Sequence, residues 1–122
     1  MDATELRQRT KQFGLRAIKL VESLPNTPVA RAVGNQLLRS GTSVGANYRA
    51  ACRARSRPDF ISKVGIAIEE ADESLYWMEV LIDAGLVTKG KLGPLMQEGN
   101  ELVAILTASA KTAREALKRR TP

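Results

Sequence analysis

With 122 residues, 43% of them hydrophobic, the chain is long enough to bury a core without staples and reads as one domain spanning 1–122. It has no histidine and one cysteine, which excludes His-based nucleophile pairs, Glu-x-x-His metal ligation, an internal disulfide and a multi-cysteine zinc site. A formal net charge of +6 and a pI near 9.9 favour an anionic partner.

The N-terminal segment MDATELRQRTKQF is charged and amphipathic and lacks the apolar core of a secretory signal. No run approaches the roughly 18 apolar residues that span a bilayer, so a cytoplasmic protein without membrane contact is expected. The first helix is predicted from about Thr4, its N-cap, to Leu24, with Leu6, Thr10, Phe13, Ala17, Leu20 and Leu24 on the apolar line. Pro25-Asn26 breaks it.

Thr27-Pro28, an N-cap followed by proline, opens a second helix predicted to reach about Arg55. At about 100° per residue its side chains sort into three faces. Val33, Leu37, Ser40, Val44, Asn47 and Ala51 form an apolar side, on which Asn47 is expected to be a buried, register-fixing residue. Arg31, Arg39, Arg49, Arg53 and Arg57 lie opposite. Between them runs a mostly small stripe of Gly34, Leu38, Gly41, Gly45, Tyr48 and Cys52. A break at Ser40-Gly41 is the competing reading, because each interior glycine costs up to about 1 kcal/mol against alanine. The apolar and small lines stay in phase across that point and favour continuity. The stripe would let another helix approach closely, as small residues at four-residue spacing do. From it we expect self-association through Gly41, Gly45 and Tyr48. Cys52 is expected to be a small packing residue.

Ser56-Arg57-Pro58 opens a third helix with Phe60, Val64, Ala67, Ala71, Leu75, Met78 and Ile82 toward the core and Gly85 as its stop. Ile66, Trp77 and Val80 lie off that line. Ile66 and Trp77 are therefore assigned to the oligomer interface, the alternative being that Trp77 covers the bundle edge. Glu69, Glu70, Asp72 and Glu73 form the chain's one cluster of carboxylates. With no histidine to complete a metal or acid–base site, they read as a solvated or salt-bridged face, so no catalytic residue, metal or cofactor is expected. Thr88 caps a fourth helix lined by Leu92, Leu95, Gly99, Leu102, Leu106, Ala110, Ala113 and Leu117, whose KRRTP end is expected to fray. Strand and hairpin signals are absent. Four long helices joined by short breaks predict an all-α, antiparallel up-down-up-down four-helix bundle.

The second helix is rich in arginine, whose planar fork suits phosphate. Arg39, Arg49, Arg53 and Arg57 are the expected phosphate contacts, assisted by Arg16, Lys19 and the basic C-terminal residues. Zinc-finger and RNP-type patterns are lacking, so sequence-specific readout is not expected. The alternative is that the charges serve subunit contacts or a protein partner.

The run from Leu37 to Leu81, above all RSGTSVGAN (Arg39 to Asn47), the basic segment ending at Asp59-Phe60, and EADESLYWMEVL (Glu70 to Leu81), resembles the signature of the bacterial family labelled 23S ribosomal RNA intervening-sequence proteins. That resemblance implies a small cytosolic four-helix bundle assembled as a ring-like homopentamer. The family in turn resembles the accessory variability protein of diversity-generating retroelements, a basic pentameric barrel that binds nucleic acid and a reverse transcriptase. The expectation that follows is a non-enzymatic basic oligomer that binds nucleic acid, RNA before DNA, with an interaction scaffold as the alternative.

Overall fold

In a computed structural model, described over residues 1–119, four helices follow one another: α1 (Ala3–Glu22), α2 (Pro28–Cys52), α3 (Arg57–Asp83) and α4 (Lys89–Arg119). The described residues contain no strand. The N-termini show why the helices begin where they do. Thr27 Oγ1 accepts from the Ala30 N–H at 3.2 Å, Ser56 Oγ from Asp59 at 3.2 Å and Thr88 Oγ1 from Lys91 at 3.2 Å. Helix α1 starts earlier than its sequence suggests. Asp2, not Thr4, is the cap, its Oδ1 accepting from the Glu5 N–H at 2.8 Å, and a carboxylate there also suits the positive end of the helix dipole. Helix α3 stops at Gly85, with φ of 75°, and the Leu86 and Gly85 N–H groups donate back to Leu81 and Ile82, the Schellman pattern. The expected fraying of KRRTP concerns residues 120–122, which lie outside the described residues, while Lys118 and Arg119 belong to α4.

Each helix packs on its neighbour in sequence, and α1 and α4 close the bundle along a narrower seam. Helices α1 and α2 run antiparallel: Gly45 lies on Thr10, Gly41 on Ala17 and Gly34 on Leu24. The α1/α4 seam carries polar links. Arg9 reaches Glu98 at 2.5 Å and Glu101 at 3.3 Å, and Lys91 Nζ donates to Ser23 Oγ at 3.0 Å. Phe13, Leu37, Val44, Val64, Met78, Leu81, Leu92, Leu102 and Leu106 are fully buried between the four helices. No described helix is long and apolar enough to cross a membrane.

Two features of the core depart from the sequence reading. Asn47 is only half-buried and donates to the Ser43 carbonyl of its own helix at 2.9 Å, so it fixes no register. Ser40 and Ser74, both fully buried, are instead joined by a 3.0 Å hydroxyl–hydroxyl bond across α2 and α3. Each hydroxyl also lies against a carbonyl of its own helix, Leu37 for Ser40 at 3.4 Å and Glu70 for Ser74 at 2.8 Å, so the cross-helix link adds to a pairing that the packing of the bundle sets. Helix α2 is continuous through Ser40-Gly41. Its small stripe is covered from within the chain. A Cβ on Gly41 would stand 2.8 Å from Ala17 Cβ, and one on Gly45 would stand 3.2 Å from Thr10 O. Gly65, in α3, has open space where a Cβ would go. We therefore expect Gly65→Ala to stabilise the protein by about 0.5–1 kcal/mol through helix propensity alone. Urea denaturation checks this, and a loss of stability would mean that something covers Gly65.

Candidate nucleic-acid interface

The close approach of α1 and α2 leaves a surface groove of about 680 Å³ above their contact. Its floor includes Thr10 and Gly14 from α1 and Thr42 and Gly45 from α2. Four cations border it: Arg7 and Lys11 from α1, Arg49 on α2, and Arg53, the C-cap of α2. Each pair is four residues apart, which places its members one above the other on a single side. No lining residue is acidic. Among the described residues, none of these four cations belongs to an ion pair. Past Lys11 the wall turns apolar at Leu15 and Ile18.

The structure thus brings together Arg49 and Arg53 of the six predicted phosphate contacts and adds Arg7 and Lys11 of α1, which are not among those six. A signal was present: both pairs have i,i+4 spacing. The other four are distributed elsewhere. Arg39 is committed to α3, where its guanidinium binds Glu70 at 2.8 Å and also Glu73. Arg57 is the first residue of α3, not part of the α2 stripe, because α2 ends at Cys52. It borders a cavity at the end of the bundle, beside Tyr48 and Phe60. Arg16 and Lys19 lie with Lys91 on the α1/α4 side.

The Arg39 clamp gives the acidic run a structural role within one chain. Its hydrogen bond holds the Glu73 carboxyl below the usual carboxylate range, helped by Trp77, whose Nε1 donates to Glu73 at 3.4 Å. Because the folded pKa is lowered, the resulting stability is present above the unfolded value and is lost as pH falls through the folded one. Arg39→Gln is expected to lower Tm at neutral pH, to shrink the stability difference between neutral and acid solution, and to leave nucleic-acid affinity unchanged. Thermal melts across an acid pH series with paired binding assays check this. A large loss of binding at unchanged stability would return Arg39 to the site.

Of the residues assigned to an oligomer interface, two are enclosed by their own chain. Tyr48 is 3% exposed, with its hydroxyl pKa pushed up to about 12 by burial and by hydrogen bonding to Cys52, and Gly41 is buried against Ala17. Gly45 forms part of the groove floor. The small stripe brings α1 and α2 of one chain together, so Gly41 and Tyr48 are taken up inside the bundle. Ile66, 39% exposed, faces outward. Trp77 is half-buried and makes an edge-to-face contact with Tyr76, which is 56% exposed and is not among the residues the sequence analysis singles out. Among the described residues no group of three or more His, Cys, Asp or Glu side chains could hold a metal ion.

Residues 3–108 match the family described as 23S rRNA-intervening sequence protein. A crystal structure of a protein with unknown function from the S23 ribosomal protein family of Bacteroides thetaiotaomicron is similar, with a TM-score of 0.85 and 35% sequence identity. The alignment covers 91% of this chain and 99% of that one. No curated protein matches.

Proposed function

Because the chain belongs to the 23S rRNA-intervening sequence protein family, we propose that it is a non-enzymatic, cytoplasmic nucleic-acid-binding protein acting as a homo-oligomer, with RNA favoured over DNA. The observation that carries this reading is the α1/α2 groove, where Arg7, Lys11, Arg49 and Arg53 converge without an acidic neighbour in the lining. Such a surface attracts phosphate through charge and through the planar guanidinium fork, and its affinity comes mainly from release of counterions. The ring-like homopentamer and the kinship with the accessory variability protein rest on the sequence resemblance through RSGTSVGAN and EADESLYWMEVL. Ile66 and Tyr76, exposed on α3, offer apolar area for subunit contacts.

One observation favours a second reading, a protein-interaction scaffold. Glu69, Asp72, Glu79 and Asp83 are all exposed on α3 and complement the basic groove in sign. In that case the charges join subunits or a protein partner. Binding of short fluorescent RNA and DNA, across salt from about 50 to 200 mM and with light scattering on the same sample, separates the two. The expected result is micromolar or tighter binding by an intact oligomer, weakening by orders of magnitude as salt rises. Absence of binding at the lowest salt would overturn the nucleic-acid reading and leave the scaffold.

A further inference from the structure

The geometry points to the sugar–phosphate backbone of a double-stranded nucleic acid, contacted without regard to sequence, as the ligand of the α1/α2 groove, an inference that rests on the nucleic-acid reading above. Proteins hold single strands by combining a basic groove with aromatic rings on which bases stack. This groove has no aromatic residue in its lining. Phe13 and Tyr48 are buried, Phe60 is half-buried in the adjoining cavity at the end of the bundle, which shares Arg7 and Cys52 with the groove, and Tyr76 and Trp77 lie on α3. With no ring in the groove's own lining, counterion release is the main source of affinity there, and it is larger for a duplex, which carries both strands' charges along the same length of axis.

The floor supports the same conclusion. At Gly45 the two helices approach so closely that a Cβ would stand 3.2 Å from the Thr10 carbonyl. A floor of packed backbone offers bases turned inward no ring to stack on, whereas the bordering cations suit a phosphate chain. The cations line the two sides of a concavity, not a helix projecting into a base-bearing groove, so they can position a backbone but cannot read base edges. Leu15 and Ile18 end the charged stretch, which leaves four cations per subunit for phosphate.

The test compares an RNA duplex of about 20 base pairs with each of its separate strands, for two unrelated sequences, by fluorescence anisotropy over the same salt range. The duplex is expected to bind at least roughly tenfold more tightly than either strand and equally for both sequences, in line with the absence of stacking. Arg7→Gln and Lys11→Gln are each expected to reduce the slope of log K against log salt by about 0.9 for every subunit whose groove engages the duplex, the increment of one duplex phosphate contact. Single strands binding as tightly as the duplex would overturn this inference while leaving nucleic-acid binding in place. Slopes unchanged in both variants would remove the ligand from this groove. If neither duplex nor strand binds at the lowest salt, the nucleic-acid reading itself fails.

Discussion

Reversing both arginines on the α2 side of the groove, Arg49→Glu with Arg53→Glu, is expected to weaken nucleic-acid binding by roughly two orders of magnitude or more near physiological salt and to flatten its salt dependence. Two of four cations are lost, and two carboxylates then face the remaining pair, Arg7 and Lys11, across the groove. Both arginines are exposed and outside any ion pair among the described residues, so the fold should tolerate the change. The cost to stability is the loss of positive charge near the C-terminus of α2, about 0.3–1 kcal/mol per residue. Light scattering should show the same oligomer before and after. Reversal of Arg16 and Lys19, on the α1/α4 side, serves as the comparison and is expected to change affinity only a few-fold. If the double variant binds as well as the parent, the groove is not the site. If it binds poorly because the oligomer has fallen apart, the scaffold reading gains.

The second large effect is expected at Gly41. A single Cβ there would already lie 2.8 Å from Ala17 Cβ, closer than real side chains stand, and Ala17 has no flexible end that could yield. Gly41→Leu must push α1 off α2. Overpacking of this kind costs about 1–3 kcal/mol or more, and the gain from replacing an interior glycine returns at most about 1 kcal/mol. We expect a net loss of about 1–2 kcal/mol, read as a lower denaturation midpoint at unchanged m-value. Because α1 carries Arg7 and Lys11, nucleic-acid affinity should fall in the variant even under conditions where it remains folded. A variant as stable as the parent would mean that α1 is not seated on the glycine stripe.

These two sites show where sequence reasoning carried and where it stopped. The caps at Thr27, Ser56 and Thr88 and the stop at Gly85 were legible because each is a local contract between a side chain, or a missing one, and the backbone within a few residues. The apolar line of α4 was legible from Leu92 to Ala113, since helical periodicity directly records which face is withheld from water. Continuity of α2 through three glycines was legible from the phase of its lines. The glycine stripe also announced close packing. It did not say whose helix would come close, and the chain's own α1 filled the place.

The same division holds for charge. Sequence by itself determined that the protein would be helical, basic, without histidine chemistry, and marked by an excess of arginine in its second quarter. Those properties depend on composition and on short-range periodicity, which a linear string contains. Only the tertiary structure decided which cations are free to meet a ligand. Arg39 and Arg49 are alike in sequence, yet Arg39 faces α3 and is bound by Glu70 and Glu73, whereas Arg49 faces α1 and shares a groove with Arg7 and Lys11. Ser40 and Ser74, 34 positions apart, became a buried pair for the same reason. A side chain's partners across a helix–helix contact depend on the rotation and register of both helices, set by the packing of all four together, and no local pattern in the string encodes them.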